Sequence, residues 1–116
     1  MFLSLMKKTL VVILAVISLA SCSEYQEALK SEDMGLKYSF ADSLYDAGKY
    51  RKSVKLWEQI VPAYRGKPQA ERIMYLYADS HYQVEDYYLA GYQFDRFVSA
   101  YPDSDKAEEA QYKAAV

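Results

Sequence analysis

Breakers, thiols and imidazoles are all scarce in this chain of 116 residues, which holds four glycines, three prolines, one cysteine and one histidine. A single cysteine excludes an intrachain disulfide. One histidine and one cysteine leave too few soft ligands for a zinc site. Basic residues form no stripe, so the charge pattern speaks against nucleic acid as a partner. No polar constellation of the kind that general acid–base chemistry needs is legible. The adjacent acids Glu85-Asp86 and Glu108-Glu109 fall at a turn and a helix start, where they suit the helix dipole as solvated charges. Alternation of the β type never lasts more than a few residues, whereas apolar residues recur at spacings of three and four. These features predict an all-α, non-catalytic chain.

What the chain has instead is tyrosine, 13 in all. FADSLYDAGKY, from Phe40 to Tyr50, is echoed by YADSHYQVEDY, from Tyr77 to Tyr87, at an offset of 37 residues. Tyr38/Tyr75, Ala41/Ala78, Asp42/Asp79, Ser43/Ser80, Tyr45/Tyr82 and Tyr50/Tyr87 are identical pairs. Each copy reads as the second half of one helix, a tight turn and the start of an antiparallel partner. Such a unit cannot bury its apolar face alone, and a fixed period of this size marks stacked repeats.

Residues 1–21 read as a leader. Lys7 and Lys8 precede an apolar run, Thr9 to Ala20, that falls short of the roughly 20 residues a membrane-spanning helix needs and suits a secretory signal. It ends in Leu19-Ala20-Ser21-Cys22, a sequence similar to a bacterial lipobox. That resemblance implies cleavage before Cys22 and lipid on its thiol and new N-terminus, the only covalent group expected and no cofactor besides. Ser23, where an Asp would favour inner-membrane retention, points to the outer membrane. Lys7 and Lys8 leave with the leader, so 12 of the 14 basic side chains remain against 16 acidic ones.

Behind the lipidated N-terminus (22–32), with a short helix at Glu24–Lys30, the spacing predicts repeat 1 over 33–68. Asp33 caps a helix with Leu36, Phe40, Ala41 and Leu44 inward, Gly48 ends it, and a partner helix follows from Tyr50 to Val61 with Val54, Trp57, Ile60 and Val61 inward. Pro62 to Pro68 is a loop. Repeat 2 covers 69–104, with helices at about Gln69–Val84 and Tyr87–Tyr101, the second capped by Asp86 and carrying Ala90, Phe94, Phe97 and Val98 inward. His81, at the Leu44 position, is expected to be buried. Residues 105–116 start a third repeat, capped by Ser104. Small residues at Ala41, Ala78, Ser53 and Ala90, aromatics at Tyr50, Tyr87, Trp57 and Phe94, and Pro102 resemble the tetratricopeptide pattern, which implies an α-solenoid of antiparallel helix pairs.

The stretch from Ala63 to Ala115 is more particular. Tyr75-Leu76-Tyr77-Ala78, Asp86-Tyr87, Ala90-Gly91-Tyr92-Gln93-Phe94, Phe97-Val98-Ser99-Ala100-Tyr101-Pro102-Asp103-Ser104 and Ala107-Glu108-Glu109-Ala110-Gln111-Tyr112 are similar to the BamD family of outer-membrane assembly lipoproteins. The resemblance implies the N-terminal part of a longer repeat protein, lipid-anchored on the periplasmic face of the outer membrane. There it would serve the machine that folds and inserts β-barrel proteins. Its expected partners are a BamA-like barrel subunit, bound mainly through a further C-terminal part, and nascent barrel chains. Two other readings stay open: another periplasmic tetratricopeptide lipoprotein, in cell-envelope or pilus assembly, and an enzyme whose catalytic domain lies beyond Val116.

First helices line the concave face of such a solenoid. Tyr38, Asp42 and Tyr45, then Tyr75, Asp79 and Tyr82, repeat a Tyr-x₃-Asp-x₂-Tyr stripe on one helical side, a surface able to meet an extended peptide with rings, hydroxyls and carboxylates. A second reading of the same stripe is packing between repeats. Arg51, Lys52 and Lys55 read as a solvated convex face with lipid headgroups or a partner as the alternative. The leader reading is directly testable: replacing Cys22 with Ala should block processing and leave a precursor without acyl label, as seen by metabolic labelling with palmitate.

Overall fold

The computed structural model describes the backbone of residues 1–116 and the side chains of all but residues 18–22. Cys22, the expected lipidation site, therefore lies outside the described residues. The chain is all-helical: α1 (Phe2–Lys30), α2 (Met34–Asp46), α3 (Tyr50–Ala63), α4 (Ala70–Gln83), α5 (Tyr87–Ala100) and α6 (Ala107–Ala114). Consecutive helices from α2 to α6 pack against one another, and α1 adds itself to the α2–α3 pair. α2–α3 and α4–α5 are successive antiparallel pairs, and α6 stacks on the second.

The side chains at the small–large alternation explain the stacking. Ala41, Ser53, Ala78 and Ala90 are fully buried where the helices of each pair approach, and Trp57 and Phe94 fill the space beside them. The Ser53 hydroxyl donates to the Ala41 carbonyl at 2.9 Å, so this close approach carries its own hydrogen bond. Leu56, Ile60, Ile73 and Phe97 belong to the same core, with Tyr25, Ala28, Tyr75, Leu76 and Ala110. Asp33 and Asp86 cap α2 and α5, each accepting from the backbone N–H three residues on.

Three local expectations are corrected. The short helix at Glu24–Lys30 is the end of one long helix, because no Gly or Pro interrupts Phe2 to Lys30. The large apolar side chains of its first half, from Phe2 to Ile17, stay exposed. Among the described residues, no helix is long and apolar enough to cross a membrane. Pro62 does not begin a loop; it sits inside the last turn of α3, where the carbonyl deprived of an N–H belongs to the exposed Glu58. Leu36 faces outward and Lys37 is buried in its place, because the Lys37 ammonium donates to the Leu29 carbonyl at 2.8 Å and to the Gln59 side-chain oxygen. That lysine ties α1, α2 and α3 together.

Both intra-pair turns close in the same way. Gly48 is left-handed, with φ 76°, and the Lys49 N–H reaches back to the Leu44 carbonyl at 2.8 Å. One repeat on, Glu85 takes the same conformation, with φ 66°, and the Asp86 N–H reaches the His81 carbonyl at 3.0 Å. Glycine adopts this conformation freely, whereas an L side chain is strained there by about 1–2 kcal/mol. Glu85→Gly is therefore expected to stabilise the fold by about 1 kcal/mol, read as a rise in Tm; an unchanged or lower Tm would refute the shared turn geometry.

Candidate functional site: the seams between repeats and the cleft beside them

α2, α4 and α6 lie side by side, and the Tyr-x₃-Asp stripes face the seams between them. In the first seam Arg72, from α4, donates to the Tyr38 hydroxyl at 2.8 Å and to the Asp42 carboxylate at 2.7 Å. The Tyr38 ring stands edge-on to Trp57, with centroids 6.0 Å apart, and packs on Tyr64 at 5.8 Å. In the second seam Lys113, from α6, donates to Asp79 at 2.7 Å and to the Tyr75 hydroxyl at 3.1 Å. The same ammonium lies 3.1 Å from Glu109 and over the rings of Tyr75, Tyr82 and Phe94. Each stripe thus takes one cation from the following first helix.

The two seams differ in depth. The Arg72–Asp42 side chains are 50% and 30% exposed, whereas Lys113 and Asp79 are 15% and 4% exposed. Asp79 also accepts from Tyr45 across the first seam at 2.5 Å and from Gln83 at 3.4 Å. One carboxylate therefore joins α2, α4 and α6. Burial by itself would lower the Lys113 ammonium, but the hydrogen bonds to Asp79 and Tyr75 overcome it and hold the group well above the ordinary lysine range. Burial pushes the Tyr75 hydroxyl up to about 12. The Tyr45 hydroxyl rises further, through burial and then its hydrogen bond to Asp79. Both tyrosines stay neutral donors and acceptors throughout the physiological range.

The six stripe residues were expected on an open concave face. The structure brings them together but turns them largely inward. Tyr75 and Asp79 are buried, Tyr75 at 8% exposure, and Tyr38, Asp42, Tyr45 and Tyr82 are half-buried. The reason is the stacking itself: each first helix is covered by the next, so the side that would be a groove in an isolated pair becomes a seam. Tyr82 packs on Tyr87 and Phe94, and Tyr45 on Tyr50. His81 is buried against Tyr77 as expected, and burial lowers its affinity for a proton. Among the described residues, no group of three His, Cys, Asp or Glu side chains could hold a metal.

What remains open is a cleft of about 450 Å³ beside the seams, between α2, α4 and the turn leading into α6. Tyr45, Tyr75, Leu76 and Phe97 form its apolar lining, with Glu71 and Arg72 on one side and Ser104, Asp105 and Lys106 on the other. Lys106 lies 5.4 Å from the Tyr75 ring centroid and 3.6 Å from Glu109. Of the six stripe residues, Tyr45 and Tyr75 alone reach this cleft. Arg72, Lys106 and Lys113 were not singled out from the sequence. The repeat pattern gave no signal for Arg72, whose counterpart one period on is the oppositely charged Glu109. No protein-family model matches the chain, and no curated protein matches it.

The contrast between the seams sets a test. Removing one partner of a buried ion pair costs about 3–5 kcal/mol, a large part of the order of 5–15 kcal/mol that stabilises a whole domain. Exposed pairs contribute about 0–1 kcal/mol. Asp79→Ala should therefore lower the Tm drastically or prevent folding, and Lys113→Met added to it should recover part of the loss. Asp42→Ala should lie within about 1 kcal/mol of wild type. Equal effects of the two aspartate substitutions in thermal melts would refute the central role of Asp79.

Proposed function

We propose that this protein is a non-catalytic, lipid-anchored binding scaffold on the periplasmic face of the outer membrane. In this reading it is a BamD-like subunit of the β-barrel assembly machine that receives nascent barrel chains and hands them to a BamA-like barrel subunit. The observation that carries the reading is the cleft, an aromatic floor between two lips that each present one cation and at least one anion. An extended chain has the matching pattern: side chains alternate in direction, and every residue offers one amide donor and one carbonyl acceptor.

In this reading each group around the cleft has a task. Tyr45, Tyr75 and Leu76 give apolar contact to an aromatic or branched side chain of the bound strand. Glu71 and Asp105 accept from its backbone amides, and Arg72 and Lys106 donate to its carbonyls or to a terminal carboxylate. Arg72 is already anchored by Tyr38 and Asp42, so its fork is preorganised and little side-chain entropy is lost on binding. The cleft is solvent-open and within the size range of ordinary ligand sites, roughly 300–1,000 Å³. Such a site suits transient capture of chains in transit. The reading requires no cofactor, only the lipid on Cys22.

A photo-crosslinking residue in place of Glu71, in the full chain in its own envelope, should capture nascent barrel proteins, while the same residue in place of Asp95 should not. Arg72→Glu with Lys106→Glu should reduce the Glu71 adducts several-fold without loss of folded protein. Detergent purification should bring along a large barrel subunit at near-equal stoichiometry. Recovery of cell-wall or pilus components in its place would overturn the assignment and leave the helical-repeat fold standing.

A further inference from the structure

The docking of α1 orients the solenoid relative to whatever holds its N-terminus. The Tyr25 hydroxyl donates to the Lys52 carbonyl at 3.3 Å, and the Lys52 ammonium lies 5.2 Å from the Tyr25 ring centroid. Four residues later, the Leu29 carbonyl and the Gln59 side chain share the Lys37 ammonium. From Tyr25 to Leu29 the neighbour on α3 therefore advances from residue 52 to residue 59, so α1 and α3 run in the same sense. Traced backward from Tyr25, α1 leaves the body past the start of α3.

Position 22 precedes Tyr25 by three residues, about 4.5 Å of helix. Whether the membrane-embedded group is a lipid on Cys22 or the apolar run before it, the joint lies at the edge that carries the α2–α3 turn. Stacking puts the α4–α5 turn on the same edge, where a shallow cavity of about 580 Å³ is lined by Gly48–Lys52 on one side and Gln83–Glu85 on the other.

The chemistry of that edge is interfacial. Lys49 and Arg51 are exposed, and no ion pair is present for either among the described residues. One repeat on from Arg51 stands Tyr88, 86% exposed, flanked by the exposed Tyr87 and Leu89. Tyrosine and long cationic side chains are the residues that settle where hydrocarbon meets headgroup, ring or stem inward and polar tip outward. Asp46, Glu85 and Asp86 share the edge, and the Asp86 carboxylate is occupied as the cap of α5. The balance of charge suits a mixed headgroup layer rather than a purely electrostatic contact.

We propose that this turn edge, through Lys49, Arg51, Tyr87, Tyr88 and Leu89, lies against the phospholipid headgroup layer. The opposite edge, with the turns at Gly66 and Asp103, points away from the membrane. The inference rests on the membrane-anchored reading above and adds the orientation of the body to it.

The test uses the full lipidated chain, in which a single added cysteine is the one free thiol. Tyr88→Cys and Asp103→Cys, each carrying a fluorophore, are reconstituted into vesicles of phosphatidylethanolamine and phosphatidylglycerol with a fraction of headgroup-nitroxide lipid. The helices between the two edges rise about 20 Å, so the label at position 88 should be quenched roughly threefold or more strongly than the label at 103. Equal quenching, or stronger quenching at 103, overturns the orientation while flotation of the chain with the vesicles leaves the anchor reading intact. Protection of position 88 that arises only when a co-purifying protein is added assigns the surface to that protein and also overturns the proposal. A chain that labels at Cys22 as well and fails to float removes the anchor reading, and the orientation falls with it.

Discussion

One carboxylate sets the geometry of this solenoid. Asp79 accepts from Tyr45 of the preceding first helix and from Lys113 of the following one, so three consecutive first helices converge on a single buried charge. An isolated carboxylate at that depth would be strongly unfavourable; here each of its oxygens has a partner. The apolar contacts around it are less directional. Alanines, Trp57 and Phe94 hold a helix pair together over a range of rotations, whereas the hydrogen bonds to Asp79 are satisfied at one inter-repeat angle. Hydrophobic burial supplies most of the cohesion and the polar seam supplies the register.

That division explains why the cleft lies where it does. The seam draws the tyrosines inward, and only Tyr45 and Tyr75 keep part of their surface beside the cleft. The charged rim comes from residues just outside the stripe, Glu71 and Arg72 on α4 and Asp105 and Lys106 before α6. Arg72 takes part in both: it closes the first seam through Asp42 and Tyr38, and it lines the cleft. In the proposed reading, binding would therefore be coupled to stacking through one side chain, and a ligand that drew Arg72 away from Asp42 would loosen the exposed seam before the buried one.

Much of the fold was legible in the residues. Two capped helix starts, at Asp33 and Asp86, and the repeated turn at Gly48 and Glu85 are local events, decided by side chains within three or four positions of the backbone groups they serve. The buried set Ala41, Trp57, Ala78, Ala90 and Phe94 follows from the helical period. The candidate site was legible only in part. The stripe was visible as a pattern, and packing stood beside binding as its explanation, but the choice between them depends on what covers the stripe. Lys37 shows the same limit. A lysine among Leu36, Phe40 and Leu44 reads as solvent-facing until α1 is placed over it with a free carbonyl at Leu29.

By itself, then, the amino-acid sequence determined the helices of the two repeats, the caps at Asp33 and Asp86, the turns within each pair and the 37-residue recurrence, because each of these depends on contacts close along the chain. Tertiary structure alone decided that Asp79 is a buried junction, that Tyr38 and Tyr75 face seams, and that Arg72 and Lys106 frame the open cleft. Those outcomes depend on side chains more than thirty positions apart meeting at one angle. That angle is set by the stacking of whole helix pairs and leaves no local trace in the order of residues.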